Sequence, residues 1–154
     1  MLHYTHLEDF VIDIYCLYKL ERISTYSLQK LADILEVDLV MNSPKNHIVQ
    51  DVIFIESGSN EEEREAFSHE LGHYFRHAGK QKKSSISFRN LTEWQADQFA
   101  YHFCIPTFFL FEDNLPFCRE EATKIIMKNY GVTFAFASKR LDMFEQKQIA
   151  YYYG

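Results

Sequence analysis

Two histidines four residues apart constrain this chain more than any other feature. His69-Glu70-Leu71-Gly72-His73 brings its two imidazoles together only on a helix. There, positions i and i+4 share one face, with Cβ atoms about 5–6 Å apart. The flanking residues predict such a helix independently. Asn60 followed by Glu63 reads as a capping box, and Glu61, Glu62 and Glu63 suit the positive end of a helix dipole. The helix is expected to start near Glu61 and to end near Gly79, a natural left-handed C-cap residue. The polar stretch 80–87 reads as an exposed loop.

The residue types define a chemistry. Two imidazoles on one helix face can share a zinc ion at Zn–N distances of about 2.0–2.1 Å. Glu70, turned about 100° from His69, flanks such an ion without binding it, which is the place for a general base. Zinc lowers the pKa of its water towards roughly 7, and a carboxylate there can take the water's proton and hand it to a leaving amine.

A third donor is needed. The longer three-histidine pattern requires Gly and His three and six residues after the second histidine. Arg76 and Gly79 stand there, so the donor must come from elsewhere. The segment Leu91-Thr92-Glu93-Trp94-Gln95-Ala96-Asp97 offers two carboxylates four residues apart. One can bind the ion while the other hydrogen-bonds the outer nitrogen of a ligand histidine. Glu93 is the favoured ligand and Asp97 the favoured outer partner. Trp94, Ala96, Phe99 and Ala100 around them read as buried. His77, Arg76 and Lys80 read as cations at a helix C-terminus.

Elsewhere the periodicity predicts a first helix from about Thr5 to about Glu21. A second is capped by Ser24, Thr25 or Ser27, with Leu28, Leu31, Ala32 and Leu35 facing inward. Val37 to Met41 reads as a strand, and His47 to Glu56 as one bent strand or two short ones. A helix from about Leu91 to about Cys104 must end before Pro106. Two more, Arg119 to Tyr130 and Val132 to Phe144, are separated by Gly131. The Phe108 to Phe111 cluster reads as core, as do Cys104 and Cys118. Residues 1–154 are expected to form a single helix-rich α+β domain with a small three-stranded sheet beside the metal helix.

Charge limits the partners. A net charge of −6 argues against nucleic acid as a direct ligand and leaves open a basic protein that a negative surface could steer. A helix-turn-helix reading of Glu120 to Leu141, with Lys139 and Arg140 on phosphates, is the rival. No apolar run is long enough to span a bilayer, and Met1 to Asp9 lacks the basic start of a signal peptide. The three cysteines are widely spaced. The expectation is a cytoplasmic protein with free thiols and no membrane partner.

The two motifs together resemble the ImmA/IrrE family of metallopeptidases, a compact gluzincin-like group of minimal zincins. The resemblance rests on His69-Glu70-Leu71-Gly72-His73-Tyr74, then Glu93, Ala96, Asp97, Phe99 and Ala100, then Pro106, and more loosely on Arg140-Leu141. Asp97 stands where Asn is frequent, and Phe103-Cys104-Ile105 where Leu-Leu-Met is frequent. The resemblance implies one Zn2+ per chain, held by His69, His73 and Glu93, with Glu70 catalytic. Members are often encoded beside helix-turn-helix repressors of phages and integrative elements, which they cut at a defined site. The implied function is therefore a zinc endopeptidase acting as an anti-repressor on a DNA-binding repressor. The alternative is a zinc-containing anti-repressor that binds its partner without cleaving it. Donors for the reaction's oxyanion are open among Tyr74, Tyr101, His102, Tyr130 and Arg140.

Overall fold

The computed structural model describes residues 3–77 and 86–153, with the side chains of 76, 77 and 86–91 outside the description. The expected helix end at Gly79, most of the loop 80–87, and the readings of Arg76, His77 and Lys80 therefore lie outside the described residues.

Helix α1 (His6–Leu17) opens on a capping box: Thr5 Oγ1 accepts from Glu8 N at 3.1 Å, and Thr5 N donates to Glu8 Oε1 at 2.9 Å. It ends four residues before the expected Glu21, because Lys19 turns the backbone left-handed at φ +53°. A 3-10 turn (Ile23–Thr25) leads to α2 (Leu28–Leu35), which Ser27 caps. The sheet follows as β1 (Asp38–Val40), β2 (His47–Val49) and β3 (Val52–Phe54), in the order β1-β3-β2. β1 runs parallel to β3 and pairs Leu39 with Ile53; β2 runs antiparallel and pairs Ile48 with Ile53. The region 47–56 is thus two short strands, and Gln50, at φ +55°, makes the reversal between them.

Helix α3 (Asn60–His77) carries the histidine pair, and α4 (Ile86–Cys104) packs along it. The chain then forms α5 (Thr107–Asp113), α6 (Arg119–Tyr130) and α7 (Phe134–Tyr153). Gly131, at φ +61°, ends α6 in the left-handed conformation that a residue without Cβ adopts at no steric cost. Ile53 and Ile55 from the sheet meet Phe67 and Leu71 of α3 and Phe99 and Phe103 of α4, all fully buried. The rings of Phe99 and Phe103 stack at 5.4 Å, and Tyr15 meets Phe108 edge-on at 5.6 Å. The helix-rich α+β domain with its three-stranded sheet is the one expected.

Several local expectations need correction. The capping box of α3 is Ser59 with Glu62, one residue before the expected pair: Ser59 Oγ accepts from Glu62 N at 3.1 Å. Helix α4 begins at Ile86 rather than near Leu91. The Phe108 to Phe111 cluster forms a helix of its own, with Leu110 in the core. Cys118 is exposed at the start of α6, while Cys104 is buried as expected. Trp94 is 58% exposed, because the buried stripe of α4 runs through Thr92, Ala96, Phe99, Ala100 and Phe103 and Trp94 lies off it. Helix α7 continues past Phe144 through Tyr151, Tyr152 and Tyr153, and Lys147 fastens that extension to Glu8 at 2.9 Å.

One half-buried group gives the fold a pH dependence. His102 Nδ1 donates to Gln98 O at 2.9 Å, on the side of α4 facing Tyr4 and Glu8. Burial, and then the charge of Arg140, hold its pKa down to about 4; Glu8 acts in the opposite sense and Lys147 in the same. The unfolded ring takes up a proton near pH 6.5, so stability from this group is full above that pH and is lost as pH falls towards 4. The loss at pH 4.5 is expected to be about 2–3 kcal/mol. Urea titrations at pH 7.5 and 4.5 test it: His102→Leu should lose markedly less between the two than the unaltered chain, and an equal loss in both would reject the assignment.

Candidate metal centre

The site exists because α3 and α4 approach closely. Gly72 makes this possible: a Cβ there would lie 3.0 Å from Phe99 Cδ1 and 3.2 Å from both Cα and O of Ala96. A mid-helix glycine, unfavourable by propensity, is thus required by packing. The contact brings the carboxylates of α4 onto the histidine face of α3.

Four side chains meet there. His69 Nδ1 donates to Asp97 Oδ1 at 2.7 Å. His69 Nε2 is 2.9 Å from Glu93 Oε2, His73 Nε2 is 3.0 Å from Glu93 Oε1, and the two Nε2 atoms are 3.2 Å apart. His69, His73 and Glu93 can each offer one ligand atom within 4.8 Å of the others.

This donor set fits zinc. A tetrahedral ion with bonds of about 2.0–2.1 Å holds its donors roughly 3.3–3.4 Å apart, a few tenths of an ångström beyond the spacings seen. Asp97 holds the proton on Nδ1 of His69, which leaves the Nε2 lone pair facing a carboxylate oxygen. Such an arrangement calls for a cation or an added proton between them. Burial alone would lower the pKa of His69, but the Asp97 hydrogen bond, then the charges of Asp97, Glu70 and Glu93, raise it.

Glu70 is 7% exposed, beside this cluster. Burial raises its carboxyl pKa, the charge of Glu93 adds to the rise, and His69, His47 and Lys45 oppose it. The Glu70 carboxyl therefore holds a proton more readily than that of a solvated glutamate. The influence of Lys45 and His47 reflects the position of β2, which lies against α3.

The family model of the IrrE N-terminal-like domain, a peptidase family, matches residues 33–142, which include every residue of this cluster. The chain belongs to that peptidase family. It is also similar to the phage-like element PBSX protein XkdA of Bacillus subtilis, with 36% identity over 94% of this chain and 75% of that protein. A second Bacillus subtilis relative, the uncharacterized protein YqaB, is 28% identical over 93% of this chain and 86% of its own length.

Within this peptidase domain the structure brings together all five residues singled out from sequence: His69, Glu70, His73, Glu93 and Asp97. Two other candidates, Tyr130 and Arg140, are engaged elsewhere. Tyr130 Oη donates to Asp113 Oδ2 at 2.5 Å, and Arg140 is buried among Ile105 and Thr107. A buried Arg140 is not available to phosphates, which removes one of the two cations from the helix-turn-helix reading. Tyr101 packs its ring on Phe136 at 4.5 Å. Among the described residues, no helix is long and apolar enough to cross a membrane. The role of Gly72 escaped the sequence reading; its place inside a strongly capped helix, directly before His73, was the available signal.

Proposed function

We propose that this chain is a zinc-dependent endopeptidase that cleaves a DNA-binding repressor of a phage or integrative element at a defined site. The observation that carries the reading is the convergence of His69, His73 and Glu93 on one point beside the buried carboxyl of Glu70. Membership of a peptidase family and similarity to a phage-like element protein support it.

In this reading His69, His73 and Glu93 hold the ion and leave a fourth position open. Asp97 fixes the tautomer and the orientation of His69. Bound zinc supplies a Lewis acid that makes water a nucleophile near neutral pH and polarises the scissile carbonyl. Glu70 takes the proton of the attacking water and releases it to the departing amine. The substrate lies extended along the edge of β2, where main-chain hydrogen bonds would hold it.

Metal analysis of the purified protein tests the centre. About one zinc per chain is expected in the unaltered protein and much less in His69→Ala and Glu93→Ala. Asp97→Ala, which removes the acceptor for His69 Nδ1, is expected to bind zinc about 10–100-fold more weakly. Full zinc in the Glu93 variant would move the third ligand to Asp97 or elsewhere. No zinc in the unaltered protein after reconstitution would remove the hydrolytic reading.

A further inference from the structure

The free edge of the sheet and the bend that leads into it carry two basic side chains, His47 and Lys45, that the hydrolytic chemistry does not use. Among the described residues β2 pairs on one side only, with β3. The turn before it is tied down: Ser43 N donates to Ile55 O at 2.9 Å, and Glu56 N to Asn46 Oδ1 at 2.7 Å. His47 is held twice. Its Nδ1 donates to Lys45 O at 2.9 Å, and its ring stacks on Phe54 with centroids 4.3 Å apart and planes 4° from parallel. Lys45 lies in the bend that leads into β2, and the hydrogen bond from His47 Nδ1 to its carbonyl keeps the two residues side by side. His47 is on the face of β2 opposite to Ile48, whose partner Ile53 is fully buried. Lys45 is exposed and, among the described residues, makes no ion pair.

We propose that Lys45, with His47 beside it, selects substrates that carry an acidic side chain in the segment lying along β2. The inference rests on the peptidase reading of the site. A strand added to β2 turns every second side chain to the face of His47, and its end passes the bend that carries Lys45. Opposite charges on neighbouring chain segments attract, and like charges repel. The chain as a whole has the other sign, −6, and would steer basic partners from afar. That long-range field is screened beyond about 8–10 Å in physiological salt, so the nearest charge, Lys45, decides which residue is accepted.

The test uses two series of alanine peptides, with a zinc-binding hydroxamate at the C-terminus or at the N-terminus. Each position in turn is Asp, Ala or Lys. Affinity for the zinc-loaded protein is measured at low ionic strength. In at least one series, Asp at one position should bind about three- to five-fold more tightly than Ala, and Lys more weakly. Lys45→Ala should remove this preference and Lys45→Glu invert it, with zinc content and affinity for the all-alanine hydroxamates unchanged. The preference should shrink in 0.5 M salt. An affinity order shared by the unaltered protein and Lys45→Glu, or no discrimination at any position, overturns the proposal and leaves the peptidase reading standing. If no hydroxamate binds the zinc-loaded protein, the peptidase reading fails and takes this one with it.

Discussion

Glu70→Gln is expected to lower the rate of repressor hydrolysis by about 10²–10⁴-fold, the range for a lost general base, while zinc content stays at one per chain. Glutamine keeps the size and shape of the side chain and removes its capacity to take a proton. The position is buried, and burial already disfavours the charged form of Glu70, so a neutral isostere should fold normally. The variant also separates cleavage from capture. A protein that acts by hydrolysis should still bind its repressor but no longer relieve repression. The measurements are kcat/KM on candidate repressors and relief of repression in a reporter strain, made side by side. Relief equal to that of the unaltered protein, without cleavage, would make the chain a zinc-containing anti-repressor that works by binding alone.

The site was legible in the sequence because its constraints are local. Helix spacing sets the His69–His73 pair, and the same spacing sets Glu93 and Asp97 on α4. Only the meeting of the two helices had to be inferred, and the structure supplies its cause in Gly72 against Ala96 and Phe99. The elements read from capping and apolar periodicity, α2 and α6 above all, lie where expected. Errors fell where tertiary packing outweighs local pattern. Trp94 was read as buried from its neighbours in sequence, although the buried stripe of α4 is narrower than that run. The Phe108 to Phe111 cluster showed its apolar content but not its helix, since seven residues give less than two full apolar periods. The last turns of α7 were missed because their anchor, the Lys147–Glu8 pair, joins residues at opposite ends of the sequence.

The same limit hid the most consequential charge in the fold. Arg140, open from sequence as an oxyanion donor or, in the rival reading, a phosphate contact, is 1% exposed. Its Nε donates to Ile105 O at 2.9 Å and its Nη2 to Thr107 Oγ1 at 2.8 Å. Thr107 Oγ1 donates in turn to Glu8 Oε2, and Glu8 Oε1 accepts from Lys147 Nζ at 2.9 Å. The network joins α1, α5 and α7 to the chain just beyond α4, and so holds the helix that carries Glu93. Burial pulls the pKa of Arg140 down to about 10, which leaves it charged at neutral pH. Burial would raise the pKa of Glu8, but hydrogen bonds from Thr107, Thr5 and Lys147 outweigh it and lower the value. The stability contributed by Glu8 is thus present above the ordinary carboxyl range and is lost as pH falls through its lower folded value.

Arg140→Met should keep most of the buried volume while leaving the Ile105 carbonyl and the Thr107 hydroxyl without this donor, and taking a nearby positive charge away from Glu8. A buried acceptor left unsatisfied costs about 1–3 kcal/mol, a sizeable share of the roughly 5–15 kcal/mol that holds a domain together. Lys147→Met should cost less, because Lys147 is more exposed and reaches the network from its rim. Urea unfolding of Arg140→Met, of Glu8→Gln and of the two combined measures the coupling. The double variant should be more stable than the sum of the two single losses predicts, since both act through the Thr107 hydroxyl and the second change finds that link already broken. A loss below about 1 kcal/mol for Arg140→Met, the range of a surface pair, would show that the network does not hold α4 in place and that the metal centre rests on the α3–α4 contact alone.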